Sequence, residues 1–83
     1  MSRQHREPTV TQLEARAWED YNSALYRWRR GTISNQETRS RLKSATERML
    51  AARDRSAAAE WHKYQALARF CWAARRGIPD DAA

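Results

Sequence analysis

The chain has 83 residues, of which 41% are hydrophobic, and a formal net charge of +6 at pH 7. This length provides one small domain with a modest core, so self-association or partner binding is a reasonable expectation. Low hydropathy and short apolar runs predict no membrane span, and the polar N-terminus does not have the pattern of a secretory signal. Cys71 is the only cysteine and cannot form an internal disulfide, which favours a cytoplasmic location.

Glycine and proline occur at only four positions, Pro8, Gly31, Gly77 and Pro79. Between them the residues are mostly helix formers, and β-branched residues are sparse. The sequence therefore predicts an all-α domain over residues 9–78, a three-helix bundle or helical hairpin-type domain that could also dimerise. The predicted helices lie near residues 10–30, 35–53 and 57–76. Residues 1–8 and the acidic residues 79–83 are predicted to be loose tails.

The first predicted helix has clear signals at both ends. Two overlapping capping boxes mark its start, Thr9 with Gln12 and Thr11 with Glu14, and the sequence leaves the choice between them open. Gly31 suits the left-handed residue that follows many helices. Apolar residues recur along it at three- and four-residue steps: Val10, Leu13, Ala17, Trp18, Tyr21, Ala24, Leu25 and Trp28.

The second predicted helix begins after Ser34, which has Glu37 as a capping-box partner. Its apolar stripe is narrow, and basic residues flank it on both sides. The stripe consists of Thr38, Leu42, Ala45, Met49 and Ala52. Because no glycine or proline interrupts residues 32–76, one long helix is an alternative. The apolar pattern shifts phase near Ser56, however, which favours a break there.

The third predicted helix ends at Gly77 and Ile78, in a pattern typical of a Schellman stop with its hydrophobic contact. Its apolar residues cover nearly half of the helix circumference: Ala57, Trp61, Tyr64, Leu67, Ala68, Cys71, Trp72 and Ala74. Together with the first helix, this pattern predicts a core that contains Trp18, Tyr21, Trp28, Trp61, Tyr64 and Trp72.

Few residues are of a type that could support catalysis. No set of Cys, His and carboxylate residues has the spacing of a metal site, and both glycines are helix stops, so neither belongs to a phosphate-binding loop. Cys71 and His62 would lie on opposite sides of one helix and could not form a dyad. The sequence therefore predicts a protein that is not an enzyme and has no metal or cofactor.

The basic residues are concentrated in residues 27–55, which carry nine basic and three acidic residues, a net of +6 that equals the charge of the whole chain. The planar guanidinium group of arginine binds phosphate and carboxylate groups through paired hydrogen bonds, so this stretch predicts an anionic partner. The alternative is a solvated face whose side-chain stems cover apolar neighbours. The candidate contact residues are Arg27, Arg29, Arg30, Arg39, Arg41, Lys43, Arg48, Arg53 and Arg55.

Four further residues form a candidate secondary interface, which could also be the packing surface of a homodimer. Tyr26 and Phe70 do not fit the main apolar faces of their helices, and Arg69 and Arg76 lie near the second of them.

Two functional hypotheses share the basic surface and differ in the partner. The first is a small basic protein that binds nucleic acid or a nucleoprotein through phosphate contacts, with no base-reading motif visible. The second is a protein-interaction module that docks on an acidic protein surface. Such a module could be a stoichiometric inhibitor or accessory subunit of the phage or mobile-element kind, as anti-CRISPR and host-takeover proteins are.

Overall fold

The computed structural model describes residues 7–80, so most of the predicted tails at 1–8 and 79–83, namely residues 1–6 and 81–83, lies outside the described residues. Three helices follow one another: α1 (Val10–Arg29), α2 (Asn35–Arg55) and α3 (Trp61–Arg76), with a 3₁₀ turn (Ala58–Glu60) before α3. No strand occurs within residues 7–80. The predicted all-α three-helix bundle is confirmed.

A capping box defines the start of α1, and a glycine follows its last turn. The Gln12 backbone N–H donates to Thr9 Oγ1 at 3.1 Å, and the Thr9 N–H donates to Gln12 Oε1 at 2.9 Å, so the first of the two capping boxes is used. At the other end Gly31 has φ +74°, which glycine adopts at little cost. The Thr32 N–H bonds to the Arg27 carbonyl and the Gly31 N–H to that of Trp28, which is a Schellman motif.

The joint between α2 and α3 is a short extended segment. Ser34 caps the start of α2 by accepting from the Glu37 N–H at 3.0 Å. After Arg55, the backbone of Ser56 and Ala57 is extended, with ψ values of 165° and 155°. This segment turns the chain into α3, and the single long helix is wrong because its apolar stripe would have pointed away from the core.

The end of α3 differs from the prediction in its backbone. Gly77 has φ −79° and remains right-handed, so the predicted Schellman stop is wrong. Its N–H donates to the carbonyls of Ala73 and Ala74 instead. The predicted hydrophobic contact does occur, since Ile78 is buried against Ala24 and Leu42. The helix thus ends at a right-handed glycine, next to a buried isoleucine and just before Pro79, which cannot continue a helix.

α2 is the central helix and packs against both α1 and α3. The molecule is flat, with extents of 46 × 36 × 20 Å. Leu42 and Met49 are the largest fully buried apolar side chains, and most of the remaining buried residues are small. The main cluster contains Leu13, Ala17, Ala45, Met49, Ala52, Tyr64, Ala68 and Cys71, and a second cluster at one end contains Ala24, Leu42 and Ile78.

The aromatic residues lie less deep than predicted. Only Tyr64 is buried, while Trp18, Tyr21 and Trp28 are half-buried. The prediction is wrong for Trp61 and Trp72, which are exposed. The physical reason is the small size of the core: alanines occupy many of the buried positions, and a closely packed interior of small residues leaves little room for large rings.

Phe70 and Tyr26 differ in their surroundings, although both are exposed as predicted. The Phe70 ring lies 5.8 Å from the Trp18 ring and 5.2 Å from the Tyr21 ring, centroid to centroid, so it joins α3 to α1. Tyr26 makes no comparable ring contact within residues 7–80. Phe70 therefore has a packing role that Tyr26 lacks.

Candidate functional site

The basic residues of α2 form two rows on either side of its apolar stripe. One row, on the side of α1, contains Arg41, Arg48 and Arg55. The other, on the side of α3, contains Arg39, Lys43 and Arg53. The three remaining candidates, Arg27, Arg29 and Arg30, are exposed at the end of α1. The predicted contact residues thus form three groups around the bundle, and Arg41 of the first row reaches toward α1, where it donates to Ser23 Oγ at 3.5 Å.

Every arginine of the first row is paired with a carboxylate. The pairs are Arg41 with Glu37 at 2.6 Å, Arg48 with Asp20, and Arg55 with Glu7 at 3.3 Å. Two of these pairs connect α2 to α1 or to the segment before it. Pairs that are as accessible to solvent as these contribute about 0–1 kcal/mol each. A phosphate would have to compete with the carboxylate for each of these guanidinium groups.

In the second row, Arg39 closes the end of α3. Its Nη1 donates to the carbonyl of Ile78 at 2.9 Å and to that of Arg75 at 3.3 Å. Carbonyls in the last turn of a helix lack intrahelical partners and carry the negative end of the helix dipole, so a guanidinium is a favourable partner there. Arg39 therefore stabilises the fold.

Arg53 is held by three partners at the joint between α2 and α3. It donates to Gln65 Oε1 at 2.5 Å and to Asp54 Oδ1 at 2.9 Å, and its guanidinium lies 5.0 Å from the centroid of the Trp61 ring. The cation–π contact covers part of a ring that would otherwise be more exposed. Lys43 of the same row is exposed, and no ion pair is described for it within residues 7–80.

The last turn of α1 presents a different environment. Arg27, Arg29 and Arg30 are exposed, and none of them pairs with a carboxylate in the part of the chain that the structure describes. Tyr26 is 61% exposed beside them, with the Arg30 guanidinium 5.4 Å from its ring centroid. A shallow depression of about 660 Å³ lies here, lined by Asn22, Ser23, Tyr26, Arg27, Arg30 and Thr32. We call Tyr26, Arg27, Arg29 and Arg30 the α1 patch.

The bundle places the α1 patch at the same end as the C-terminus of α3. Because the helices alternate in direction, the end of α1 and the end of α3 lie together, and Ile78 packs against the half-buried Leu25 and Trp28 of α1. Arg76 is exposed at this end. The patch is therefore part of a positively charged end of the molecule, although part of that charge also stabilises the helix C-termini.

A polar cluster at the other end connects α1 to α3. The Tyr64 hydroxyl donates to Glu14 Oε1 at 2.8 Å, and Lys63 Nζ lies 3.7 Å from the same oxygen. Burial, followed by the hydrogen bond to Glu14, raises the pKa of Tyr64, and the Glu14 charge is the main cause that raises the pKa of Lys63. Both groups stay protonated at neutral pH, so neither is prepared to act as a base.

Cys71 has the environment of a structural residue. It is fully buried, and burial raises the pKa of its thiol from 9.0 to about 11. A nucleophilic thiol needs the opposite shift, because only the thiolate reacts. His62 is exposed and lies against the edge of the Trp61 ring. No group of three or more His, Cys, Asp or Glu side chains converges to hold a metal within residues 7–80.

The buried thiol makes stability depend on alkaline pH. Above pH 9 the unfolded chain loses the thiol proton while the folded chain keeps it up to about pH 11, so deprotonation favours unfolding. We expect the free energy of unfolding to fall from pH 9 to pH 11, as measured by urea denaturation. In Cys71→Ala the decline should be smaller, with the remainder coming from Tyr64 and Lys63, whose pKa values are also raised in the folded chain. An unchanged decline in that variant would show that the thiol does not titrate in this way.

Comparison with known proteins gives no match: no family model fits the chain, and no curated protein or solved structure is significantly similar to it. Among the described helices, none has the length and apolar character needed to cross a membrane. Function therefore has to be inferred from the residues and their geometry.

Proposed function

We propose that this chain is a small, non-catalytic α-helical protein that binds nucleic acid through phosphate contacts made by the α1 patch. The observation that supports this proposal is the contrast between the basic surfaces. The first-row arginines of α2 are engaged with carboxylates, whereas Arg27, Arg29 and Arg30 are exposed without such partners. Free guanidinium groups can bind phosphate without first breaking an internal ion pair.

The patch also has an arrangement that suits a nucleic-acid backbone. Three arginines on one helical turn offer several donors to neighbouring phosphates, and the exposed Tyr26 ring offers a surface for an unstacked base. Arg76, at the same end, could extend the contact. No base-reading motif is visible in the patch, so we propose binding without strong sequence preference. We place this activity in the cytoplasm, as the cysteine content favours.

A salt titration tests this function directly. Binding of the full chain to a short DNA duplex of arbitrary sequence would be followed by fluorescence anisotropy between about 50 and about 200 mM salt. Each phosphate contact on duplex DNA contributes about −0.9 to the slope of log affinity against log salt concentration, so three contacts predict a slope of about −2.7. A single-stranded DNA and an RNA of the same sequence would be compared. Absence of binding to all three nucleic acids at low salt would overturn the proposal.

A further inference from the structure

A second surface, separate from the α1 patch, is a groove between α2 and α3. It encloses about 390 Å³, and none of its lining residues belongs to α1. Leu50 of α2 and Ala68 and Trp72 of α3 form its apolar part. This volume lies within the range of about 300–1,000 Å³ that is typical of ligand sites. Trp72 is 44% exposed, so a large apolar surface faces solvent at this point.

The surroundings of the groove are basic. Lys43 and Arg69 lie in its lining, with Glu47 as the one acidic residue there. The Arg75 guanidinium lies 4.8 Å from the centroid of the Trp72 ring. None of these three cations forms an ion pair within residues 7–80. The α3 sequence itself contains no Asp or Glu. An occupant that matches the groove must therefore combine apolar side chains with negative charge.

We propose that this groove binds an acidic amphipathic helix of a partner protein. Apolar side chains one helical turn apart would pack on Leu50 and Trp72, and flanking carboxylates would pair with Lys43 and Arg69. A groove between two helices accepts a helix in this way, with anchors at i, i+3 or i+4. The chain would then be an interaction module as well as a nucleic-acid binder, and the two surfaces share no residue.

Two other occupants fit the groove less well. A nucleic-acid backbone would place phosphates near the Glu47 carboxylate and would gain little from the aliphatic Leu50 and Ala68. A second copy of this chain carries a net charge of +6 and would bring the same basic rim into contact with itself. Like charges that face each other across an interface oppose association. Charge complementarity therefore favours an acidic protein segment.

The test is a selection from a random library of displayed helical peptides against the full chain, with Trp72→Ala as the counter-selection target. Trp72 lies at the surface, so its replacement should leave the helical circular dichroism spectrum unchanged. We expect the enriched peptides to be acidic and to carry two bulky apolar residues one turn apart. A synthesised peptide should lose at least about tenfold in affinity for Trp72→Ala, as expected for an interface anchor.

Charge reversal provides a second, independent measurement. Lys43→Glu with Arg69→Glu should weaken the acidic peptide and restore binding to the same peptide with its Glu residues replaced by Lys. The matched control, Arg27→Glu with Arg29→Glu, changes the net charge equally and should leave peptide affinity unchanged, although it should impair nucleic-acid binding. Failure of one activity without the other thus distinguishes the two proposals.

Three outcomes would overturn the groove proposal. The first is an enriched peptide pool that is basic or uncharged, or that binds Trp72→Ala equally well. The second is a dimer in sedimentation equilibrium that Trp72→Ala dissociates, which would assign the groove to a second copy. The third is single-stranded DNA that competes with the peptide and loses affinity for Trp72→Ala, which would assign the groove to nucleic acid.

Discussion

Replacement of Leu42 by alanine is expected to lower the free energy of unfolding by about 2–5 kcal/mol. Leu42 has no exposed surface and packs with Ala24 and Ile78, the cluster that holds one end of the bundle together. The removed atoms leave a cavity that the neighbouring small side chains cannot fill. Because small domains have a total stability at the low end of about 5–15 kcal/mol, this one change should remove a large share of it.

Urea denaturation followed by circular dichroism measures the effect, and Trp61→Ala is the matched control. If Trp61 were fully buried, as the sequence predicts, its truncation would cost about 3–5 kcal/mol. Trp61 is instead 40% exposed and contacts the Arg53 guanidinium, so we expect a loss of about 1 kcal/mol. Equal losses in the two variants would contradict the placement of Leu42 in the core and of Trp61 at the rim.

These two residues show what helical periodicity can predict and what it cannot. The apolar stripe of α2 correctly identifies Leu42 and Met49 as core residues. On α3 the same reasoning identifies the correct side of the helix, yet Trp61 and Trp72 lie at the edge of that side and Tyr64 at its centre. Periodicity gives a direction around the helix axis. Depth depends on the room that the neighbouring side chains leave, and here many of the buried positions are alanines.

The two glycines that follow α1 and α3 show a similar limit of sequence-based prediction for the backbone. Residues 29–32 read Arg-Arg-Gly-Thr and residues 75–78 read Arg-Arg-Gly-Ile, so both segments predict the same kind of helix end. Gly31 adopts φ +74°, whereas Gly77 has φ −79°. The surroundings of the two glycines differ, since Ile78 packs against Leu42 and accepts a hydrogen bond from Arg39 through its carbonyl, and Pro79 follows it in the sequence. Contacts between residues distant in sequence cannot be predicted from the local pattern.

Helical periodicity predicts where the arginines lie around α2 but not which carboxylates pair with them. Helical spacing predicts that basic residues flank the apolar stripe, and they do. Of the three first-row pairs, only that of Glu37 and Arg41 can be predicted from sequence, because the two residues are one turn apart. The pair of Asp20 and Arg48 joins residues 28 positions apart and depends on the packing of α1 against α2. Ion pairing of this kind distinguishes the first-row arginines, which are paired with carboxylates, from the arginines of the α1 patch, which have no such pair within residues 7–80.

Removal of the three α1-patch arginines is the change from which we expect the largest effect on function. In the variant with Arg27→Gln, Arg29→Gln and Arg30→Gln, the salt slope for duplex DNA should become less steep by about 2.7, since three phosphate contacts are lost. The same substitutions at Arg41, Arg48 and Arg55 remove an equal charge. Binding is measured by anisotropy across the salt series described above.

The control variant should retain most of the wild-type slope, because its arginines are already engaged with Glu37, Asp20 and Glu7. It should also lose some stability, at about 0–1 kcal/mol for each pair. Equal losses of slope in the two variants would mean that net charge, not the α1 patch, drives association. A loss of slope in the control variant alone would instead assign the phosphate contacts to Arg41, Arg48 and Arg55 of α2. Phosphates would then have to displace the carboxylates that pair with these arginines.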